Sequence, residues 1–72
     1  MAIVRNKKTN DLYRYLGENR FVNLRTGIQG VVPDDKAQAI FVVNYDATEM
    51  FEKYPNIEIL ISKLNLKIEH NG

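Results

Sequence analysis

Apolar and polar residues follow a strand-like pattern from Leu12 onward, where Leu-Tyr-Arg-Tyr-Leu is followed by Gly17-Glu18-Asn19 and then Arg-Phe-Val-Asn-Leu-Arg. Aromatic and branched runs separated by turn residues predict a β-hairpin with strands over 12–16 and 20–25. Thr26-Gly27 is a second turn signal, and residues 28–32 read as a third strand with Gly30 as a bulge or a point of close backbone approach. The polar stretch from Arg5 to Asp11 lacks such a pattern, so residues 1–10 are expected to fray, as are residues 70–72.

After Pro33 the pattern changes. Proline fits the first helical turn, and Asp34 and Asp35 lie where a helix dipole favours negative charge. A helix over 33–43 would align Ala37, Ile40 and Phe41, although Ile40-Phe41-Val42-Val43 is equally good strand sequence and periodicity leaves 39–45 open. Asp46-Ala47-Thr48-Glu49 has the spacing of a capping box and predicts a helix over 47–54, ended by Pro55. Asn56 then caps a third helix, whose Ile57, Leu60, Ile61 and Leu64 share one stripe. Leu66-Lys67-Ile68-Glu69 alternates and could add an edge strand. The expected fold is therefore one α+β domain over 1–72: a small antiparallel three-stranded sheet, made of the hairpin plus a third strand, followed by two or three short helices, with room for a C-terminal edge strand.

The length of the turn between Leu16 and Arg20 decides which hairpin residues share a face. A three-residue loop with Asn19 left-handed puts Tyr13, Tyr15, Phe21, Asn23 and Arg25 on one face, and Leu12, Arg14, Leu16, Val22 and Leu24 on the other. The leucines would then pack on the helices and leave an aromatic platform exposed. A two-residue turn, led by Gly17 or centred on Glu18-Asn19, instead buries Tyr13 and Tyr15 with Val22 and Leu24. It exposes Leu12, Arg14, Leu16, Phe21, Asn23 and Arg25. Both registers remain open at this point, and each leaves one face that a single helical layer does not cover.

Composition narrows the functions. A chain of 72 residues has room for one core. It has no cysteine and a single histidine, His70, which removes disulfides, thiolate chemistry and a structural zinc site. Its one serine, Ser62, has no base beside it in sequence, so a nucleophilic triad is not expected. The paired carboxylates Asp34/Asp35 and Asp46/Glu49 sit at expected helix starts, where their role is structural. The expectation is a protein that is not an enzyme and needs no cofactor or metal. No signal peptide or membrane span is legible, so the expected location is the cytoplasm.

Net charge is only +1, but residues 1–32 hold six cations against two carboxylates and residues 33–72 hold four lysines against seven carboxylates. The hairpin is thus the basic part. Its candidate binding residues are Tyr13, Arg14, Tyr15, Arg20, Phe21, Asn23 and Arg25. The first expectation is a small protein-binding module that also self-associates, because an uncovered apolar and arginine-bearing face suits a protein interface. An alternative is a binder of single-stranded nucleic acid, with the aromatics stacking on bases and the arginines meeting phosphates. A further alternative is a small anionic, nucleotide-like ligand at a subunit interface, held by Arg25, Thr26, Gly27 and Gly30.

The segments Tyr15-Leu16-Gly17-Glu18-Asn19, Asn23-Leu24-Arg25-Thr26-Gly27 and Ala47-Thr48-Glu49 together resemble small uncharacterised proteins of bacteriophages and mobile elements. The resemblance implies no fold, activity or site residue. It implies a host or phage macromolecule as partner, and a protein that acts by binding and blocking it.

Overall fold

The computed structural model describes residues 3–46 and 64–69. Within them lie strands β1 (Ile3–Asn6), β2 (Leu12–Gly17), β3 (Arg20–Asn23) and β4 (Gln29–Val31), helix α1 (Asp34–Ile40), and strands β5 (Phe41–Asn44) and β6 (Ile68–Glu69). The sheet order is β4-β3-β2-β1-β5-β6. The first five strands pair antiparallel, and the two-residue β6 joins β5 in parallel. Among the described residues the expected three strands followed by two or three helices give way to a mostly-sheet arrangement, five antiparallel strands with α1 between the fourth and fifth. The expected helix over 47–54 lies outside the described residues, as does the expected helix from Asn56 up to residue 63; Leu64, the last residue of its stripe, is helical and buried.

Two local readings account for the difference. Residues 1–10 were expected to fray, yet Ile3–Asn6 is an interior strand between β2 and β5, with Ile3 and Val4 fully buried. The helix expected over 33–43 stops at Ile40, and Phe41 takes an extended φ of −113° and ψ of 150°. Phe41, Val42 and Val43 pair with Asn6, Arg5 and Val4, so a partner 35 or more residues away decides a choice the local pattern left open. Pro33 precedes the helix as its cap residue rather than occupying its first turn, and its carbonyl accepts from the Ala37 N–H at 2.8 Å. The backbone of Tyr45 and Asp46 is already helical, so Asp46 does not stand at the cap position expected for it.

The loop between β2 and β3 combines features of both expected registers. Glu18 and Asn19 form a two-residue turn with φ of 53° and 63°, the pair of positive values that a primed hairpin turn requires. A bulge between Tyr15 and Gly17 then inserts one residue and shifts the faces back. Tyr13 pairs with Asn23 and Tyr15 with Phe21, which groups the aromatics as the longer loop would.

One pattern had not been read from the sequence. The turn joining β1 to β2, Asn6-Lys7-Lys8-Thr9-Asn10-Asp11, is built like the turn joining β3 to β4, Asn23-Leu24-Arg25-Thr26-Gly27-Ile28, 17 positions later. In each, the Asn side-chain oxygen accepts two amides: Lys8 at 2.8 Å and Thr9 at 3.1 Å in the first, Arg25 at 2.8 Å and Thr26 at 3.0 Å in the second. The threonine hydroxyl accepts from the residue two positions on, Asp11 or Ile28, at 3.2 Å in both. The left-handed position is filled by Asn10 (φ 64°) and Gly27 (φ 76°), residue types that tolerate it. The fold thus contains two hairpins of the same register on the same turn chemistry.

Face by face, Val4, Tyr13, Tyr15, Phe21, Asn23, Gly30, Phe41 and Val43 point to one side. On this inner side Val4, Phe21, Phe41 and Val43 pack with Ala37 of α1 and with Leu64 and Leu66 to form the core, and Tyr13, Tyr15, Val32 and Ile40 pack around it. The outer side carries Ile3, Arg5, Leu12, Arg14, Arg20, Val22, Gln29, Val31 and Val42.

Candidate functional site

The core takes up the expected aromatic platform. Phe21 is only 2% exposed. Its ring lies 4.8 Å from that of Phe41 and 5.1 Å from that of Tyr15, while Tyr13 stands 5.1 Å from Phe41 in a tilted arrangement. Such contacts contribute about 0.5–1.5 kcal/mol each beyond area burial, which makes them packing elements of the sheet. Tyr15 also accepts at its hydroxyl from the Asn19 N–H at 3.4 Å, closing the hairpin tip. Arg14 and Arg20 project from the opposite face. The candidate binding residues are therefore divided between two sides of the sheet.

Arg25 belongs to the turn rather than to β3. Its Nε and Nη2 donate to the two carboxylate oxygens of Asp11 at 3.2 and 2.9 Å. Asn23 Nδ2 donates to the same carboxylate at 3.1 Å. Hydrogen bonding from Arg25, the larger cause, and from Asn23 holds the Asp11 carboxyl below the usual carboxylate range, and the hydrogen bond to Asp11 raises the Arg25 guanidinium in turn. This ion pair joins the two matching turns side by side at one end of the sheet.

The expected anion loop has its donors engaged elsewhere. The amides of Arg25 and Thr26 go to Asn23 Oδ1, that of Gly27 to the Asn23 carbonyl at 2.8 Å, and that of Ile28 to Thr26 Oγ1. The Arg25 guanidinium faces Asp11. What the arrangement offers instead is a cleft of about 350 Å³ at the β4 edge, lined among others by Tyr13, Phe21, Asn23, Arg25, Gly30 and Val32. It exists because Gly30 carries no side chain opposite Phe21, and a Cβ built there would meet nothing within 4 Å.

The outer face is covered where Ile3 and Val42 lie, 0% and 8% exposed, and is open at its β4 end, at Arg20, Gln29 and Val31. Leu16 and Leu24 are each 39% exposed and Val31 is 68% exposed, beside Leu12, Val22, Arg14 and Arg20. Arg5 on the same face pairs with Glu69 and donates to Asn10 Oδ1 at 2.8 Å. Sequence reasoning placed Leu12, Arg14 and Leu16 on an exposed face in only one register. It missed Ile28 and Val31, whose signal was the run of uncharged residues from Thr26 to Pro33.

Among the described residues no cluster of three or more His, Cys, Asp or Glu side chains could hold a metal, and no helix is long and apolar enough to cross a membrane. Comparison of the chain with family models, with curated proteins and with solved structures finds no match in any of the three.

Proposed function

We propose that the protein is a non-enzymatic protein-binding module that docks on a partner protein through the outer face of its sheet. The observation that carries this reading is the exposure of Val31 and Arg20 at the β4 end of that face, together with Leu24, exposed in the turn where its N–H donates to the Leu12 carbonyl. Interface cores are enriched in arginine and depleted of lysine and carboxylate, and this patch joins arginine to exposed aliphatic side chains. Its positive charge selects a partner whose contact surface is apolar with an acidic rim. The packing of Tyr13, Tyr15 and Phe21 against the core favours this reading over base stacking.

The test is a purified complex with the protein recovered on the tagged chain from producing cells. Leu24→Glu should weaken that complex by about 30-fold or more, equivalent to about 2 kcal/mol, while the variant keeps its melting temperature. Lys36→Glu, on the exposed surface of α1, should leave affinity unchanged. Equal affinity of parent and Leu24→Glu would overturn the outer-face assignment. Tight binding of single-stranded DNA that weakens steeply with salt would favour nucleic acid instead.

A further inference from the structure

We propose that two copies of this chain pair edge to edge through β4, antiparallel about a twofold axis at Gly30. The dimer uses the sheet edge, so it stands apart from docking on the outer face.

Strand β4 ends the sheet. The Asn23 N–H donates to the Ile28 carbonyl at 2.9 Å, and the Val32 N–H donates to the Asn19 carbonyl at 2.8 Å. Ladder bonds in an antiparallel pair involve alternate residues. Ile28, Gly30 and Val32 therefore turn their backbone groups toward β3, and Gln29 and Val31 turn theirs outward. Natural sheets blunt such edges with charged side chains, bulges or proline within the strand. Here the β3–β4 register runs without a shift, and no residue from Thr26 to Val32 is charged or proline. Among the described residues the two most exposed large apolar side chains, Ile28 at 71% and Val31 at 68%, lie along this undefended edge.

The edge is self-complementary, which is why a second copy is the occupant. Rotation about Gly30 sets Gln29 opposite Val31 of the second copy and Val31 opposite its Gln29, and each such pair exchanges both backbone bonds. Gly30 meets Gly30 in the closely spaced, non-bonded position between them, where the absence of a Cβ permits approach. On the inner face Ile28 of the second copy lies opposite Val32 and diagonal to Gly30, so it leans over the cleft above Phe21. On the outer face Arg20 neighbours Val31, and the two copies' arginines fall at opposite ends of the paired strands. Neutral strand meets neutral strand, whereas a charged peptide would find no complement along β4. So short an edge buries less than about 1,200 Å² in total, which implies a weak, concentration-dependent dimer.

The experiment is sedimentation together with amide hydrogen exchange over about 10 µM to 1 mM. The dimer fraction should rise across that range, and protection of the Gln29 and Val31 amides should rise with it. Val31→Pro removes an outward N–H that the monomer does not use, and an edge strand tolerates proline there. It should lower the association constant at least tenfold with the dilute melting temperature unchanged. Val31→Lys, which places charge on the edge, should act in the same direction and serves if the proline variant does not fold. Leu24→Glu should leave the dimer intact, which separates this interface from the outer-face one. A parent chain that stays monomeric at about 1 mM, or a Val31→Pro or Val31→Lys dimer as tight as the parent's, would overturn the proposal.

Discussion

The hairpins β1–β2 and β3–β4 share a register and a turn but differ in their surroundings. The outer edge of β1 is filled by β5, whereas β4 faces solvent. Seventeen positions apart, Tyr13 of the first hairpin corresponds to Gly30 of the second, and Arg14 to Val31. Tyr13 packs on Phe41, and Gly30 leaves a cleft. The comparison separates two causes. Local turn chemistry builds a hairpin, and residues far away in sequence decide whether its edge and faces are covered.

The largest expected difference between the hairpins lies in their turn asparagines. Asn23 is buried, its oxygen serves two amides and its amide group serves Asp11. Asn23→Ala leaves those groups without partners in a place that water reaches poorly, and should cost about 1–3 kcal/mol in urea unfolding. Asn6 makes the equivalent bonds at an exposed turn, where water can replace them, so Asn6→Ala should cost less, about 1 kcal/mol. Equal losses would show that burial does not distinguish the two turns.

The left-handed positions give a smaller contrast. Gly27→Ala forces a Cβ into φ of 76° and should cost about 1–2 kcal/mol. Asn10→Gly should stay within about 0.5 kcal/mol of the parent, because Asn already tolerates that conformation and glycine raises the entropy of the unfolded chain. A large gain from Asn10→Gly would mean that the first turn is strained where the second is relaxed.

These particulars show what was legible in the sequence. The β2–β3 hairpin follows from alternation and turn residues, whereas the grouping of Tyr13, Tyr15, Phe21 and Asn23 was one of two open registers and is decided by the bulge between Tyr15 and Gly17. Strand β1 was missed because its apolar content is Ile3 and Val4 alone, and the polar turn after it reads as a tail unless Asn6 and Thr9 are taken as turn-forming side chains. The matching turns were missed because only the Asn and Thr are identical at that offset. The covered face was assigned wrongly for the longer loop. Alternation groups side chains, and it takes α1, Leu64 and Leu66 to say which group is inside. For the candidate site, Arg25 looked like a free cation because its partner Asp11 stands across a different hairpin.

The smallest effect expected is the pH response of that ion pair. Asp11 is held below the ordinary aspartate value by its hydrogen bonds to Arg25 and Asn23, so its folded-state pKa lies under its unfolded one. A lowered pKa contributes stability that is present above the ordinary value of about 3.9 and is lost as the pH falls through the folded value. The contribution is modest because the Arg25 side chain is 70% exposed and solvent screens the pair. Arg25→Ala should therefore lower the melting temperature slightly at neutral pH, and the gap to the parent should close between about pH 5 and pH 2. Lys8→Ala, at the matching position of the first turn, has Ile28 where an Asp11 counterpart would stand and should leave the acid profile unchanged. Parallel acid profiles for the parent and Arg25→Ala would show that the two hairpins are joined by their strands alone.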